Sequence, residues 1–409
     1  MAGLTQPSGG RSSAPGTVGI VGAGQLARMS LEAASALGIE VVLLAEREDE
    51  SAARVAAQVL IGSPHDPDAL AALAARCDVV TFDHELVDLG LLARLARDVA
   101  VRPGPSTLEL TVDKSRMRNV LADQGIPVPA FAVLDHPVEG PEPLVDGVAA
   151  FAGSHGWPVV IKAARGGYDG RGVWPVDDAA QAAEVCRQAA AGGVPLLVEE
   201  LVPIDTELAV LVARRPDGRS EIWPAVETAQ IDGVCREVLV PGTLDPAVAA
   251  AATELGHRVA EVAGATGVLA VELFSVGGRL LVNELAARPH NTGHWTIEGS
   301  VTSQFENHLR AVLDLPLGAT GPTADHVASV NVFGGVDGTD PAERLALALA
   351  VPGAHVHLYG KSPRPGRKLG HVTVCGPDPL DVRRRAWTAA RALGTPVPAQ
   401  LGGLTGAAA

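Results

Sequence analysis

Thr17–Met29 reads TVGIVGAGQLARM, and EVVLLAE follows, ending at Glu46. An apolar run that gives way at Gly22 and Gly24 to a helical pattern, and then to a second apolar run, describes a strand, a tight turn, a helix and another strand. The pattern recurs through DVVTF and VAVRP. Strands separated by helices require parallel pairing with right-handed crossovers. Residues 16–112 are therefore expected to form a Rossmann-like α/β domain, and the Gly-, Ser- and Pro-rich residues 1–15 a disordered tail.

The periodicity changes after that point. Asp113–Gln124 reads as a helix closed by Gly125, Pro127 and Pro129, and together with Pro137–Pro143 this segment is expected to link two lobes. WPVVIKA, GVWPV, PLLVEEL, ELAVLVA and EIWPAV, with one helix over Asp178–Ala191, predict an α+β lobe with antiparallel pairs. An Ala-rich helix over Pro246–Ala265 precedes GVLAVELFSV and GRLLVNEL, joined at Gly277-Gly278 as a hairpin. Residues 113–322 are assigned to a central two-lobed domain. Residues 323–409 are assigned to a small C-terminal domain with helices over Pro341–Ala350 and Asp381–Leu393.

A formal charge of −15 argues against nucleic acid as the main partner, because polyanion binding needs a basic face. Cys77, Cys186, Cys235 and Cys375 lie far apart with no CxxC pair, which suggests reduced thiols rather than a zinc knuckle or a disulfide framework. There is no apolar run of about 18 residues and no signal-peptide core, so a soluble, cytoplasmic chain is expected.

Six segments carry chemistry. Gly22, Gly24, Gln25 and Leu26 open a helix where backbone N–H groups and the helix dipole favour an anion; a phosphate-bearing substrate is expected there. With Glu46 the same residues also fit a dinucleotide fingerprint. Lys162 sits inside an apolar strand that runs into Gly166, Gly167, Tyr168, Asp169, Gly170, Arg171 and Gly172, a loop able to fold over phosphates; a plain hairpin turn would leave the buried lysine unexplained. Glu199, Glu200, Leu201 and Val202 end a strand that could read an adenine edge, with Glu207 beyond it for ribose hydroxyls, although acids at strand ends are commonly just solvated. Glu272 and Glu284 flank the Gly277-Gly278 turn beside Asn283, and like charges opposed across a ladder suit a divalent cation, with a salt bridge to Arg288 as the alternative. Finally, Arg288–Trp295 is a dense polar run, and Lys361–Lys368 sets four cations in eight residues, a cradle for a phosphorylated metabolite or a solvated basic turn.

GAGQLARM, GGYDGRG, NELAARPHNTGHWT, SQFENHLRA followed by LPLG, and RPGRKLGH occur in one order over Thr17–Leu393, and in this the chain resembles the 5-(carboxyamino)imidazole ribonucleotide synthetase family of the ATP-grasp superfamily. The resemblance implies a pre-ATP-grasp domain, a two-lobed ATP-grasp domain and a small C-terminal domain, acting in de novo purine synthesis. The activity implied is carboxylation of 5-aminoimidazole ribonucleotide with ATP and bicarbonate. ATP would be held by Lys114, Lys162, the flap Gly167–Val173, the hinge Glu199–Val202, Glu207, Glu227, Asn283 and Glu284. Glu272 and Glu284 would hold magnesium, or manganese in its place. Gly24, Gln25, Leu26, Glu85, Arg288, Lys361, Arg367 and Lys368 would receive the ribonucleotide and bicarbonate, with Asp169, Arg288, His290 and Lys361 in catalytic roles, in a homodimer. Two departures stand out: TFDHELV carries Asp83 where many relatives have a glutamate, so a weakened acidic arm is expected there while Glu85 remains. Val112-Asp113-Lys114 lacks the usual glutamine but keeps the cation.

Three rival activities would use parts of the same sequence. A formate-using transformylase would share the nucleotide residues and differ around Glu85 and Arg364. A nicotinamide dehydrogenase would use Gly22, Gly24 and Glu46 and leave GGYDGRG and RPGRK without a role. A nucleotide sensor would bind ATP without turnover.

Overall fold

The computed structural model describes residues 16–134, 140–166, 172–231 and 233–400. Gly167, Tyr168, Asp169, Gly170 and Arg171 of the expected flap, and Pro137 in the expected linker, lie outside the described residues.

The first domain runs β1 (Thr17–Val21), α1 (Gln25–Leu37), β2 (Glu40–Ala45), β3 (Val59–Ile61), α2 (Pro67–Ala74), β4 (Val79–Phe82), α3 (Leu89–Leu95), β5 (Ala100–Val101) and α4 (Pro105–Val112). Its sheet is parallel, in the order β3-β2-β1-β4-β5. The chain winds outward from β1 to β3 and then returns to the other side at β4. The strand order therefore reverses between β1 and β4, and the crevice beyond their C-terminal ends is where an open α/β sheet takes ligands.

The next lobe contains α5 (Lys114–Asp123), β6 (Phe131–Leu134), α6 (Glu142–His155), β7 (Val159–Ala163), β8 (Val173–Val176), α7 (Ala179–Ala191) and β9 (Leu196–Glu200). The strands pair antiparallel in the order β6-β9-β7-β8, over a core that includes Leu144, Val148, Phe151, Ile161, Cys186 and Val198. This corrects the linker reading of the segment before Trp157: β6 pairs with β9, and α6 lies in the lobe's core. Pro143 marks the start of α6, where a missing N–H costs nothing, and not a break in the chain.

A large antiparallel sheet takes up most of the remainder. It is built from β10 (Thr206–Arg214), β11 (Ser220–Ile222), β12 (Val226–Ile231), β13 (Val234–Val240), β14 (Gly267–Val276), β15 (Arg279–Ala286), β16 (His326–Phe333), β17 (Ala354–Leu358) and β18 (Lys368–Gly376). The order is β15-β14-β10-β12-β13-β16-β18-β17, with β11 beside β10. Around it lie α8 (Pro246–Val262), α9 (Thr296–Gly299), α10 (Gln304–Val312), α11 (Leu345–Leu349) and α12 (Pro379–Ala392). The C-terminal strands continue the central sheet through the β13–β16 pair, so no separate sheet begins at residue 323. EIWPAV splits into β11 and β12 because Pro224 has no N–H for the ladder. The helix expected over Pro341–Ala350 begins as a 3₁₀ turn over Pro341–Arg344 and continues as α11. The helix expected to reach Ala265 ends at Val262.

Among the described residues no helix is long and apolar enough to cross a membrane, and all four cysteines are free. Gly277 and Gly278 form the two-residue turn between β14 and β15, with φ of 56° and 78° and Val276 opposite Arg279. Positive φ at both positions is what a type I′ turn demands. No atom lies within 4 Å of a Cβ built at Gly278, so Gly278→Ala should cost only the left-handed backbone, about 1 kcal/mol. Urea unfolding should show a lower midpoint at an unchanged slope; an unchanged midpoint would contradict the turn assignment.

Candidate active site

The small lobe and the large sheet meet around Lys162, Lys114, Glu272 and Glu284. Lys162 is buried on β7, where its Nζ lies 2.6 Å from Glu199 Oε2 on β9. The other Glu199 oxygen accepts from Arg118 Nε, also at 2.6 Å, and Arg118 and Glu199 are 0% and 2% exposed at their side chains. Burial disfavours the Glu199 anion, but Arg118 and Lys162 outweigh it and hold its titration below the ordinary carboxylate range. Burial pushes the Lys162 ammonium down despite the pull of Glu199. Glu199 therefore favours the charged form of Lys162 and holds its side chain inward. Of the expected hinge, Glu199 and Glu200 are still in the β9 ladder, and Glu200 accepts from the Ala130 N–H; Leu201 and Val202 follow the strand as an open connector. Gly172 closes the loop after β7 by accepting from Ala163 N, and Val173 starts β8 opposite Lys162.

The acid pair is set by a bulge. From Val276↔Arg279 to Leu273↔Val282 the hairpin keeps one register; it then shifts so that Glu272 faces Glu284. Asn283 is the extra residue. A two-residue turn alone would have set Glu272 against Asn283, so the facing carboxylates arise from turn and bulge together. The bulge also re-aims neighbouring side chains: Lys162 Nζ donates to Asn283 Oδ1 at 3.3 Å, and Lys114 Nζ to Glu284 Oε1 at 2.6 Å. Glu207 on β10 lies two residues before Ala209, which pairs with Glu272, so period-2 alternation puts all three acids on one face. Burial, then Glu284, then Glu207 raise Glu272 to about 8, and burial raises Glu207 to about 7.

Glu227 is a correction. It pairs with Leu208, which puts it on the opposite face from Glu207, and its carboxylate accepts from the Thr243 N–H and hydroxyl at 2.7 and 2.8 Å.

Beyond β15 the chain turns through Arg288 and His290 toward the first domain. Glu85 accepts from Ala287 N at 2.7 Å and pairs with Arg288 at 3.4 Å, so the salt bridge considered for the acid pair goes to Glu85 instead. His290 Nε2 lies 3.6 Å from Glu272, and Gln304 clamps the residue by bonding both its N–H and its carbonyl. Burial, Arg288 and Lys368 hold His290 well below its ordinary titration range, so its imidazole is neutral. From the C-terminal loop Lys361 Nζ donates to Gln25 Oε1, and Arg367 donates to the Ser362 carbonyl at 3.0 Å. Lys368 lies near enough to Glu272, His290 and His294 to shift their titration. The α1 terminus differs from expectation. Gly24 N–H donates to Asp83 and not into an open crevice, and Leu26 is buried with Met29, Phe305 and Tyr359. Asp83, expected to be a weakened arm, is fully engaged. Arg118 and Gln304 were missed, although Arg118 sits four residues after Lys114 on the same helix face.

Acids that face one another, with the titration of Glu272 raised by burial and by Glu284, fit a hard cation that also takes phosphate and water oxygens. Among the described residues no cluster of three His, Cys, Asp or Glu side chains could hold a metal unaided. Glu272 and Glu284 thus fit a cation that arrives with a nucleotide.

A lysine-bearing antiparallel lobe closing on a sheet that carries paired acids is an ATP-grasp arrangement, and residues 119–305 match the ATP-grasp domain family. Residues 16–112 match the ribonucleotide synthetase preATP-grasp domain, and 328–385 the phosphoribosylaminoimidazole carboxylase C-terminal domain. The chain is 47% identical to the N5-carboxyaminoimidazole ribonucleotide synthase of Mycobacterium tuberculosis over 91% of its length and 86% of that protein's. The Corynebacterium ammoniagenes enzyme of the same name is 43% identical, with 91% of each chain covered. The Aspergillus clavatus N5-carboxyaminoimidazole synthase, solved with ADP and 5-aminoimidazole ribonucleotide, superposes with a TM-score of 0.84 at 31% identity, covering 93% of this chain and 98% of that one. The chain belongs to the N5-carboxyaminoimidazole ribonucleotide synthase family of ATP-grasp ligases.

Proposed function

We propose that this enzyme carboxylates the exocyclic amine of 5-aminoimidazole ribonucleotide, using ATP and bicarbonate and releasing ADP and phosphate, in purine synthesis. The observation that carries the reading is the convergence of Lys162, Lys114, Glu272, Glu284 and His290 where the two sheets meet, joined through Glu85 and Gln25 to the first domain.

A bicarbonate oxygen attacks the γ-phosphorus, the bond to the β-phosphate oxygen breaks, and ADP leaves carboxyphosphate behind. The amine then takes the carboxyl carbon, phosphate departs, and the amine proton is lost. Lys162 and Lys114 offset phosphate charge, which is most of what phosphoryl transfer asks of a protein. Lys114 pairs with Glu284 and exchanges that partner for phosphate when nucleotide binds. Glu272, Glu284 and Asn283 would hold magnesium, which supplies charge neutralisation across the phosphates. Neutral His290 is able to accept a hydrogen bond beside Arg288, whose cation faces the bicarbonate. Glu207 and the connector Leu201–Val202 receive the nucleoside. Gln25, Glu85, Lys361, Arg367 and Lys368 receive the ribonucleotide. The enzyme works in the cytoplasm as a homodimer.

Phosphate release from ATP with magnesium and bicarbonate, with and without aminoimidazole ribonucleotide, tests the reading when labelled bicarbonate is followed into product. Strong stimulation with stoichiometric capture is the expected result. ATP turnover indifferent to this ribonucleotide would overturn the substrate assignment.

A further inference from the structure

The crevice beyond β1 and β4 contains an anion seat that the protein fills itself. Asp83, the first residue after β4, places Oδ2 2.6 Å from Gly24 N and Oδ1 2.8 Å from Ala27 N, so both carboxylate oxygens accept from the first turn of α1. The fit is close: a Cβ at Gly24 would come within 2.3 Å of Asp83 Oδ2. A helix terminus with free N–H groups favours an anion. Here that anion is covalently part of the chain, and it engages the Gly24 and Ala27 N–H groups of this terminus.

The same loop reaches in a second direction. Two residues on, Glu85 accepts from Ala287 N and pairs with Arg288 at the exit of β15. On the α1 side, the turn clamped by Asp83 presents Gln25, whose side-chain oxygen accepts from Lys361 of the C-terminal loop. The Asp83-His84-Glu85 loop thus connects three segments: the α1 turn, the Arg288 loop and, through Gln25, Lys361.

We propose that Asp83 is a positioning residue for the ribonucleotide site, acting through the Gly24-Gln25 turn to fix Gln25 and hence Lys361. It touches no reacting atom. Its role requires two acceptors at fixed spacing, because two N–H groups must be met at once. An amide in its place would turn an NH₂ group toward one of those N–H donors, whereas a glutamate keeps both acceptors on a longer arm.

The inference rests on the proposed reaction, and its test separates the two. With wild-type enzyme, stimulation of ATP turnover by aminoimidazole ribonucleotide establishes that reaction independently of Asp83. In Asp83→Asn, the KM for the ribonucleotide should rise about tenfold, the loss expected for one charge-assisted hydrogen bond. The KM for ATP and the bicarbonate-dependent ATP turnover without ribonucleotide should stay within about twofold. Asp83→Glu should recover most of the lost ribonucleotide affinity. An Asn variant with an unchanged ribonucleotide KM, or one in which both substrates and the basal turnover suffer alike, would overturn the positioning role.

Discussion

Glu272→Gln is expected to abolish most of the activity while making the ligand-free protein more stable at pH 8. Both effects follow from the bulged hairpin. Glu284 already has a partner in Lys114 at 2.6 Å, so Glu272 is the acid left facing a like charge, and burial with Glu284 and Glu207 raises it to about 8. A carboxyl raised in the folded state stabilises the fold in its protonated form. That contribution is complete below the unfolded value near 4.5 and is lost as pH rises through about 8. Glutamine mimics the protonated carboxyl at every pH. The variant should therefore match wild type near pH 5 and exceed it at pH 8. The Glu272 side chain keeps 24% of its surface, so the gain is on the order of 2 kcal/mol, below what a fully buried charge would give. Activity should fall about 10³-fold, the rate equivalent of several kcal/mol of charge stabilisation from a bound cation. Urea unfolding at pH 5 and pH 8, beside steady-state turnover, reads both. A variant less stable than wild type at pH 8, or one that retains turnover, would show that this pair is not a strained acid site awaiting a cation.

The sequence made the acid pair visible and hid its cause. Acids that flank Gly277-Gly278 suggest facing carboxylates, and the structure reaches that opposition with a turn centred between the two glycines and a bulge at Asn283. A bulge depends on what the extra side chain can reach, here Lys162 from another lobe, and local pattern does not encode that. The parallel first domain was legible because each strand–helix unit carries its own punctuation. The β6–α6 region was not, because prolines that begin a helix look like prolines that end one. Glu227 shows the same limit: its residue type suits a nucleotide, but alternation along β12 sends it to the other face. In sequence Asp83 is only a shorter arm than a glutamate, and the positions of Gly24 and Ala27 reveal that its two oxygens are already in use.

Glu199→Gln should combine the largest loss of stability with loss of nucleotide binding. Arg118 is fully buried, and both of its terminal amino groups lack a hydrogen-bond partner among the described residues, so its charge depends on Glu199. Lys162 depends on the same carboxylate, since burial, Arg118 and Lys114 all oppose its ammonium form and Glu199 favours it. Neutralising the shared acid leaves two buried cations uncompensated, and breaking such a group costs about 3–5 kcal/mol. Lys162 then relieves part of that cost by giving up its proton, and a neutral amine no longer attracts a phosphate. The KM for ATP should rise about 10²-fold, the equivalent of roughly 3 kcal/mol. The double variant Arg118→Met with Glu199→Gln separates fold from function. Removing the orphaned guanidinium should restore most of the stability, because a buried ion cluster replaced by neutral groups is often near neutral in cost. ATP affinity should remain low, because Lys162 still lacks the carboxylate that keeps it charged. Thermal unfolding with ATP titration reads both quantities on each variant. If the double variant regained ATP affinity together with stability, Glu199 would be only a structural partner of Arg118, and the charge on Lys162 would have to be maintained by another group.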